Sequence, residues 1–398
     1  MKGVSFKRGV TLLLIMLSHQ FYAADQLIIG AVLDSIMKDL SFSVFWGGVI
    51  TTLFGLGMVL SSLFTGWIVK KMGLAYTLLV GFFTLSFFTV LTGVSSSIFH
   101  MLFFRFGVGI GGGVWNVAYY SFFGSIYPER RGLMSGLAGN MYITGILWSF
   151  PVASIVLSCS SSWKMPFYLF GLLSLSISAL IFLIIRLEMF ERVERREVVE
   201  KQQRGYLWRI LGDRNVILGC VISLFAAIIS YSVTSFYPTY SRTVLNYDVV
   251  FSSTLTSAQM CLMLIMTPLI LFLSDRYGRK PFLYYSSLPL APLVYLMFQP
   301  RFGNPHLVIL LCIVYGAVNA GGYPLVLSFI QDLVTPSMTP IATSLCTAIF
   351  NIGSLLSGPT AGYFVSLMGW EKMGFWLFSC CLAYFLAAFM AKETRRQR

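Results

Sequence analysis

The chain has 398 residues, of which 57% are hydrophobic and only 11% are charged. Soluble domains carry about 25% charged residues, so this composition excludes an ordinary soluble protein and defines a polytopic membrane protein. The formal net charge of +13 does not point to nucleic acid, because the bases punctuate apolar runs instead of lining one soluble face.

The first run begins after Lys2, Lys7 and Arg8 and continues past Ala23 and Ala24 through Ile28, Ile29 and Val32. That is long enough to span a bilayer, so it is expected to be a retained transmembrane helix and not a cleaved leader. Apolar windows of spanning length fall at 10–33, 45–69, 75–95, 98–126, 133–158, 165–186, 216–240, 251–273, 282–299, 306–333, 340–366 and 373–391. Lipid offers no partner for free backbone N–H and C=O groups, so each window predicts a helix. The expected fold is an all-α membrane protein of twelve transmembrane helices.

With the N-terminus inside and alternating loops, 22 of the 28 Lys and Arg residues fall on one side and five on the other, with Arg105 inside a helix. Basic loops stay cytoplasmic. The reading is therefore a multi-pass protein of the cell (plasma or inner) membrane with both termini cytoplasmic.

The longest polar stretch, from Arg186 to Arg214, alternates acids and bases, with Glu191–Arg195 and Glu197–Lys201 spaced as helix i,i+4 pairs. It divides the chain into an N-terminal six-helix bundle at 1–186, a cytoplasmic linker at 187–214 and a C-terminal six-helix bundle at 215–398.

Six helices, a linker and six more helices suggest an internal repeat. Gly66-Trp-Ile-Val-Lys70-Lys71-Met-Gly73 aligns without gaps on Leu271-Phe-Leu-Ser-Asp275-Arg276-Tyr-Gly278, and Arg279-Lys280 follows. The fourth window carries Gly109-Ile-Gly111-Gly112-Gly113-Val-Trp115, and the tenth carries Gly316-Ala-Val-Asn-Ala-Gly-Gly-Tyr-Pro324. On these residues the whole chain resembles the major facilitator superfamily of secondary transporters. Asp275 to Lys280 fit the second copy of that family's loop signature, while Arg105, Gly109 and Gly111 fit its helix-4 pattern. Gly358-Pro359 and Gly362 in the eleventh window add to the likeness. Asp25 with Asp39-Leu-Ser41, and Gly111-Gly-Gly-Val-Trp115 followed by Tyr127-Pro128-Glu129-Arg130-Arg131-Gly132, are similar to features of the organic-anion and metabolite proton symporters. The first loop departs from the pattern, with Lys70 where the family places Asp. The resemblance implies two six-helix bundles related by a pseudo-two-fold repeat. It further implies that Lys70, Gly73, Asp275, Arg276, Gly278, Arg279 and Lys280 form a gating loop pair, with Asp275 as a cytoplasmic latch.

Charges inside apolar helices are costly and single out functional candidates. Asp25 lies near the middle of the first helix and Arg105 near the start of the fourth. Burial disfavours a charged carboxylate and a nearby cation favours it, which is the balance that proton coupling needs. Two readings stand for Asp25: coupling or substrate contact, and a permanent ion pair. Arg105 has two as well: binding a carboxylate, and bonding backbone carbonyls at a helix end. His19 either joins the proton path or is a hydrogen-bonded core histidine. Asp34 and Asp332 lie nearer helix ends and read as interfacial. Substrate-cavity candidates are the mid-helix polar residues Asn116, Tyr119, Tyr120, Tyr142, Tyr237, Gln259, Asn319 and Asn351. Helix-to-helix hydrogen bonding produces the same signal.

The seven cysteines form no CxxC and no Cys/His cluster, so neither a disulfide nor a metal site is expected. No strand precedes the glycine run, which excludes a nucleotide-binding loop. No catalytic acid pair, Ser/His/Asp set or ATP-binding loop is present, so neither an enzyme nor a cofactor is expected. The expected partners are a small organic solute, in one reading an anion, together with protons and the lipid bilayer, and the protein is expected to be a monomer. The expected mechanism is rocking-bundle alternating access. A proton-driven efflux antiporter and a non-transporting receptor or scaffold are the alternatives.

Overall fold

A computed structural model describes residues 2–41, 44–126, 131–160, 162–187, 212–247, 249–335 and 338–393. The charged linker helix expected between Arg186 and Arg214, and Tyr127 to Arg130, lie outside the described residues. The described helices are α1 (Lys2–Asp39), α2 (Val44–Met72), α3 (Leu74–Gly93), α4 (Ile98–Ile126), α5 (Arg131–Ser160), α6 (Lys164–Arg186), α7 (Arg214–Thr243), α8 (Val249–Tyr277), α9 (Arg279–Met297), α10 (Pro305–Val318), α11 (Gly322–Asp332), α12 (Thr339–Met368) and α13 (Trp370–Met390). Nine segments among the described residues are long and apolar enough to cross a membrane, with α10 and α11 together forming one of them. The polar-rich helices α1, α5 and α9 complete a twelve-span architecture. Large side chains such as Phe64, Trp67, Phe103, Phe375 and Phe389 point outward, which suits lipid contact and not water.

The tenth window is not the single helix that its hydropathy predicts. It breaks between α10 and α11 at Asn319-Ala320-Gly321, where Gly321 takes the left-handed backbone, φ 82°. The cause is local. In an unbroken helix Pro324 would remove the hydrogen bond to the carbonyl four residues back and clash with it. Restarting the helix at Gly322 puts Pro324 in the first turn, where a missing N–H costs nothing.

The chain divides into two compact units. The first comprises Met1–Ile126, Asn140–Val198 and Thr339–Ala348, and the second comprises Tyr127–Gly139, Val199–Met338 and Ile349–Arg398. The first turns of α5 therefore pack with the second unit and the first turns of α12 with the first.

In the first unit α4 is wedged between α2 and α3, and its glycines explain how. A methyl group at Gly109 would sit 2.2 Å from the Phe54 carbonyl of α2, and one at Gly113 would meet Met58 O at 2.6 Å. One at Gly111 would sit 2.2 Å from Leu85 N of α3, and one at Gly107 would strike the Phe88 ring at 2.5 Å. Positions four apart share a helix face. The two interleaved pairs thus clear two faces of one helix for close backbone approach. The core alongside is built from Ile28, Val32, Ile36, Met101, Phe167 and Phe170.

The second unit uses the same device more sparingly. Gly316 of α10 lies against the Gln259 carbonyl of α8, and Gly353 of α12 against Leu224 O of α7. Both α2–α3 and α8–α9 are joined by one glycine with positive φ, Gly73 at 84° and Gly278 at 100°. Each closes the preceding helix, Gly73 N–H donating to Val69 O and Gly278 N–H to Ser274 O. A side chain at either position would be strained.

Candidate functional site

In the first unit the ionisable candidates lie between the middle of α1 and the first half of α4. Asp25 is fully buried, and neither carboxylate oxygen makes a hydrogen bond among the described residues. The Ser174 hydroxyl of α6 and the Arg105 guanidinium are the groups acting on it. Arg105 is also buried, but it spends its fork on backbone: Nη1 donates to Asp25 O at 3.1 Å and Nη2 to Gln26 O at 3.0 Å. Its guanidinium carbon lies 5.0 Å from the Phe54 ring centroid. Arg105 is thus bonded to two backbone carbonyls. It serves α1 and not the end of its own helix. The arrangement leaves a carboxyl group with no hydrogen bond to either oxygen among the described residues, beside a cation whose two Nη donors are engaged on backbone.

His19 lies about 9 Å further along α1, six residues at 1.5 Å each. Its ring stacks on Tyr119 at 3.7 Å, with 6° between the planes, and Tyr22 lies parallel to it at 5.0 Å. Tyr120 and Tyr142 complete the surround at 5.8 and 6.1 Å. Trp115 Nε1–H donates to His19 Nδ1 at 3.0 Å. Tyr142 O–H donates to Gln26 Oε1 at 3.2 Å, and Trp148 Nε1–H to Gln20 Oε1 at 3.0 Å. His19, Tyr119, Tyr120 and Tyr142 thus form one cluster, and Asn116 is buried one residue beyond Trp115. Gln20, Gln26, Trp148 and Ser174 are not marked by the sequence, which marks Trp115 only as the end of the glycine motif and not as a site residue. Gln20 and Gln26 flank Asp25 in the same apolar run, which is a signal that could have marked them.

The interior of the second unit is polar but neutral. Gln259 Nε2 donates to Cys312 Sγ at 3.9 Å, while Gln259 Oε1, Tyr237 Oη and Tyr315 Oη are buried without a hydrogen bond among the described residues. Asn319, at the α10–α11 break, donates to Ser230 Oγ at 3.1 Å. Non-helical backbone at membrane depth is tolerated where protein or a water-filled cavity satisfies it, and Asn319 and Gly322 are only half-buried. Tyr237 also packs with Tyr240 and Phe298, at 5.8 and 5.5 Å. Asn351 is buried on α12. Cys312, Tyr315 and Ser230 are additions that the sequence did not mark.

The α8–α9 connection holds the charged cluster of the second unit. Asp275 accepts from the backbone N–H groups of Gly132 at 3.1 Å and Leu133 at 2.9 Å, in the first turn of α5. Arg279 Nη2 pairs with Asp275 at 2.6 Å, Arg279 Nε with Asp332 at 3.0 Å, and Arg279 Nη1 donates to Ser274 Oγ at 2.7 Å. Asp332, read from sequence as interfacial, is thus part of this cluster. Glu393 accepts from the backbone N–H groups of Arg279 and Lys280 at 3.0 and 3.2 Å, which caps α9 from the C-terminal segment. Arg276 and Lys280 form no ion pair with Asp275: Arg276 lies over the Phe272 ring and Lys280 over the Phe389 ring. Of the three bases in this loop, the one that locks the acid is Arg279. At the matching place in the first unit, Gly66 of α2 packs on the start of α12, where an added methyl would meet Ser344 Oγ at 2.8 Å. One turn on stands Lys70, and α12 begins without a side-chain cap.

The model of the Major Facilitator Superfamily matches residues 15–336 and, in a second match, 249–398. The chain belongs to that superfamily, whose fold is that of membrane transporters. Among solved structures it is similar to the proton:xylose symporter XylE bound to 6-bromo-6-deoxy-D-glucose, with a TM-score of 0.81, 15% identity and coverage of 98% of this chain and 97% of that one. It is also similar to the transporter FucP in the outward conformation, with a TM-score of 0.78, 16% identity and coverage of 96% and 98%. A variant of the E. coli fucose:proton symporter FucP matches at a TM-score of 0.76, 16% identity and coverage of 96% and 98%. No curated protein sequence matches the chain significantly. At these identities the structures establish the shared fold and leave the substrate open.

Proposed function

We propose that the protein is a proton-coupled secondary transporter of a small organic solute, working by rocking of its two bundles in alternating access. The observation that carries this reading is the Asp25 carboxyl group, buried without a hydrogen bond among the described residues beside an Arg105 already bonded to backbone. Such a carboxyl group can gain or lose a proton without dismantling a bonded network, and the neighbouring cation makes its charged form tolerable. His19 lies six residues before Asp25 on the same helix and is the second group able to exchange a proton. The neutral groups Tyr237 and Gln259, both buried, and the half-buried Asn319 support recognition of the solute through hydrogen bonds to hydroxyl or amide groups. Asp275 acts as the latch, gripping the first turn of α5 from the cytoplasmic side. Lys70 leaves the matching helix start without an acid, so the gate is asymmetric.

The neighbours' names supply test solutes, namely xylose and fucose. Purified protein in proteoliposomes with an imposed inward pH gradient is to be offered labelled D-xylose, L-fucose and D-gluconate. Uphill accumulation of one of them that collapses with a protonophore supports symport. Asp25→Asn is expected to abolish accumulation while sparing downhill exchange. Accumulation by Asp25→Asn at the wild-type rate would overturn the coupling role.

A further inference from the structure

His19 carries a constraint that its place in an aromatic cluster does not require. An imidazole nitrogen that receives an N–H bond must offer a lone pair. Trp115 Nε1 has only a hydrogen to offer, and it points at His19 Nδ1 from 3.0 Å. We infer that Trp115 is a positioning residue that holds His19 as the neutral tautomer protonated at Nε2, so that protonation of His19 and release of the Trp115 bond are one event. The inference rests on the reading that His19 belongs to the proton path.

A proton arriving at Nδ1 would set two donors against each other, and the Trp115 bond must break. The opposing tendency comes from the stack, because an imidazolium over the Tyr119 face gains a cation–π attraction that the neutral ring lacks. The ring therefore sits between two arrangements, neutral and tied to Trp115 or charged and held by Tyr119. The groups facing it are Tyr22 from α1, Trp115, Tyr119 and Tyr120 from α4 and Tyr142 from α5, all of them uncharged phenols or indole. No carboxylate among these shares the task, which leaves Trp115 to set the tautomer. Trp115 is itself held by Phe82 of α3, at 4.7 Å, and its backbone approaches Gly81 of that helix. A shift of α4 against α1 would thus reach the histidine through one hydrogen bond.

The probe is the proton itself. Protein labelled with 15N-histidine in lipid nanodiscs is titrated by NMR. There are only three histidines, so His19→Asn identifies the signals of His19. In the wild type the expected spectrum shows a bare, hydrogen-bonded Nδ1 and a protonated Nε2. Trp115→Phe, which keeps the packing and removes the donor, is expected to raise the His19 protonation constant about two- to tenfold, the worth of one neutral hydrogen bond. A proton on Nδ1 in the wild type, or an unmoved midpoint in Trp115→Phe, overturns the inference. If Trp115→Phe does not fold, the wild-type tautomer still decides. His19→Asn keeps an acceptor for the indole and removes the proton site. If it accumulates the transported sugar or gluconate like wild type, the coupling role of His19 falls while the tautomer lock stands.

Discussion

The two units place their charges in opposite ways. In the first, a carboxyl group and an imidazole in the middle of α1 and a guanidinium near the start of α4 are buried. In the second, the interior polar groups Tyr237, Gln259 and Tyr315 and Asn319 at the α10–α11 break are neutral, and the ionic cluster of Asp275, Arg279 and Asp332 stands at the ends of α8, α9 and α11. A buried charge in a bilayer is costly and persists where it does something. In the function proposed above, this contrast is the basis for placing proton coupling in the first unit, neutral hydrogen bonding in the second and a latch at the α8–α9 connection. The two glycine-closed connections repeat the lesson on a smaller scale. Their backbones match, yet Asp275 bonds a helix start in one and Lys70 occupies the matching position in the other. The positive end of a helix favours an acid and repels a base, so similar turns have unequal holding power.

The contrast breaks most severely if the neutral interior proves to couple protons. Gln259→Leu is expected to weaken solute affinity while leaving accumulation proton-dependent, whereas Asp25→Asn loses accumulation altogether. Parallel uptake and protonophore measurements check the pair. Next in size is helix packing. Gly111→Ala and Gly316→Ala place a methyl 2.2 Å from Leu85 N and 1.9 Å from Gln259 O, against backbone that cannot step aside. Each is expected to cost about 1–3 kcal/mol or more, read as a lowered unfolding midpoint in detergent. Equal stability of either variant with wild type would refute the close approach.

Smaller effects belong to the latch. Asp275→Asn removes the charge from two backbone bonds and from the Arg279 pair, a loss of about 1.5–3 kcal/mol for charge-assisted bonds. The expected result is a roughly tenfold or larger shift in the inward-to-outward population, measured by distances between spin labels on the two bundles. Lys70→Asp is expected to shift the same population the other way by about 1 kcal/mol, as a new cap does. If Asp275→Asn leaves the distribution unchanged while Lys70→Asp alters it, the asymmetry is reversed. Least is expected from Asn304, whose side chain caps α10 by accepting from His306 and Leu307 N–H. Asn304→Ala should lower stability by about 1 kcal/mol and leave coupling untouched.

Much of this was legible in the residues. The hydrophobic windows fall on the described helices because each span must satisfy its own backbone. The break at Asn319–Gly321 was hidden by the high hydropathy around it, although Asn-Ala-Gly-Gly-Tyr-Pro contains both the left-handed glycine and the proline that demand it. The loop signature marked Asp275, but nothing in seven adjacent residues distinguishes Arg279 from Arg276 and Lys280. Only the fold shows which base turns inward. Nothing in the sequence marks Glu393, and its role as a cap on α9 depends on where α13 ends.

By itself the sequence determined the environment, the number of spans, the paired loops and the rarity of buried charge. These follow from local composition and from what a bilayer permits. The tertiary structure decided which groups meet. Arg105 finds carbonyls 80 and 79 residues away, Trp115 finds His19 96 residues away, and Asp275 finds the start of α5 143 residues away. Helical periodicity tells which face a side chain occupies, but the partner on that face is set by how helices distant in the chain pack, and that is a property of the folded molecule.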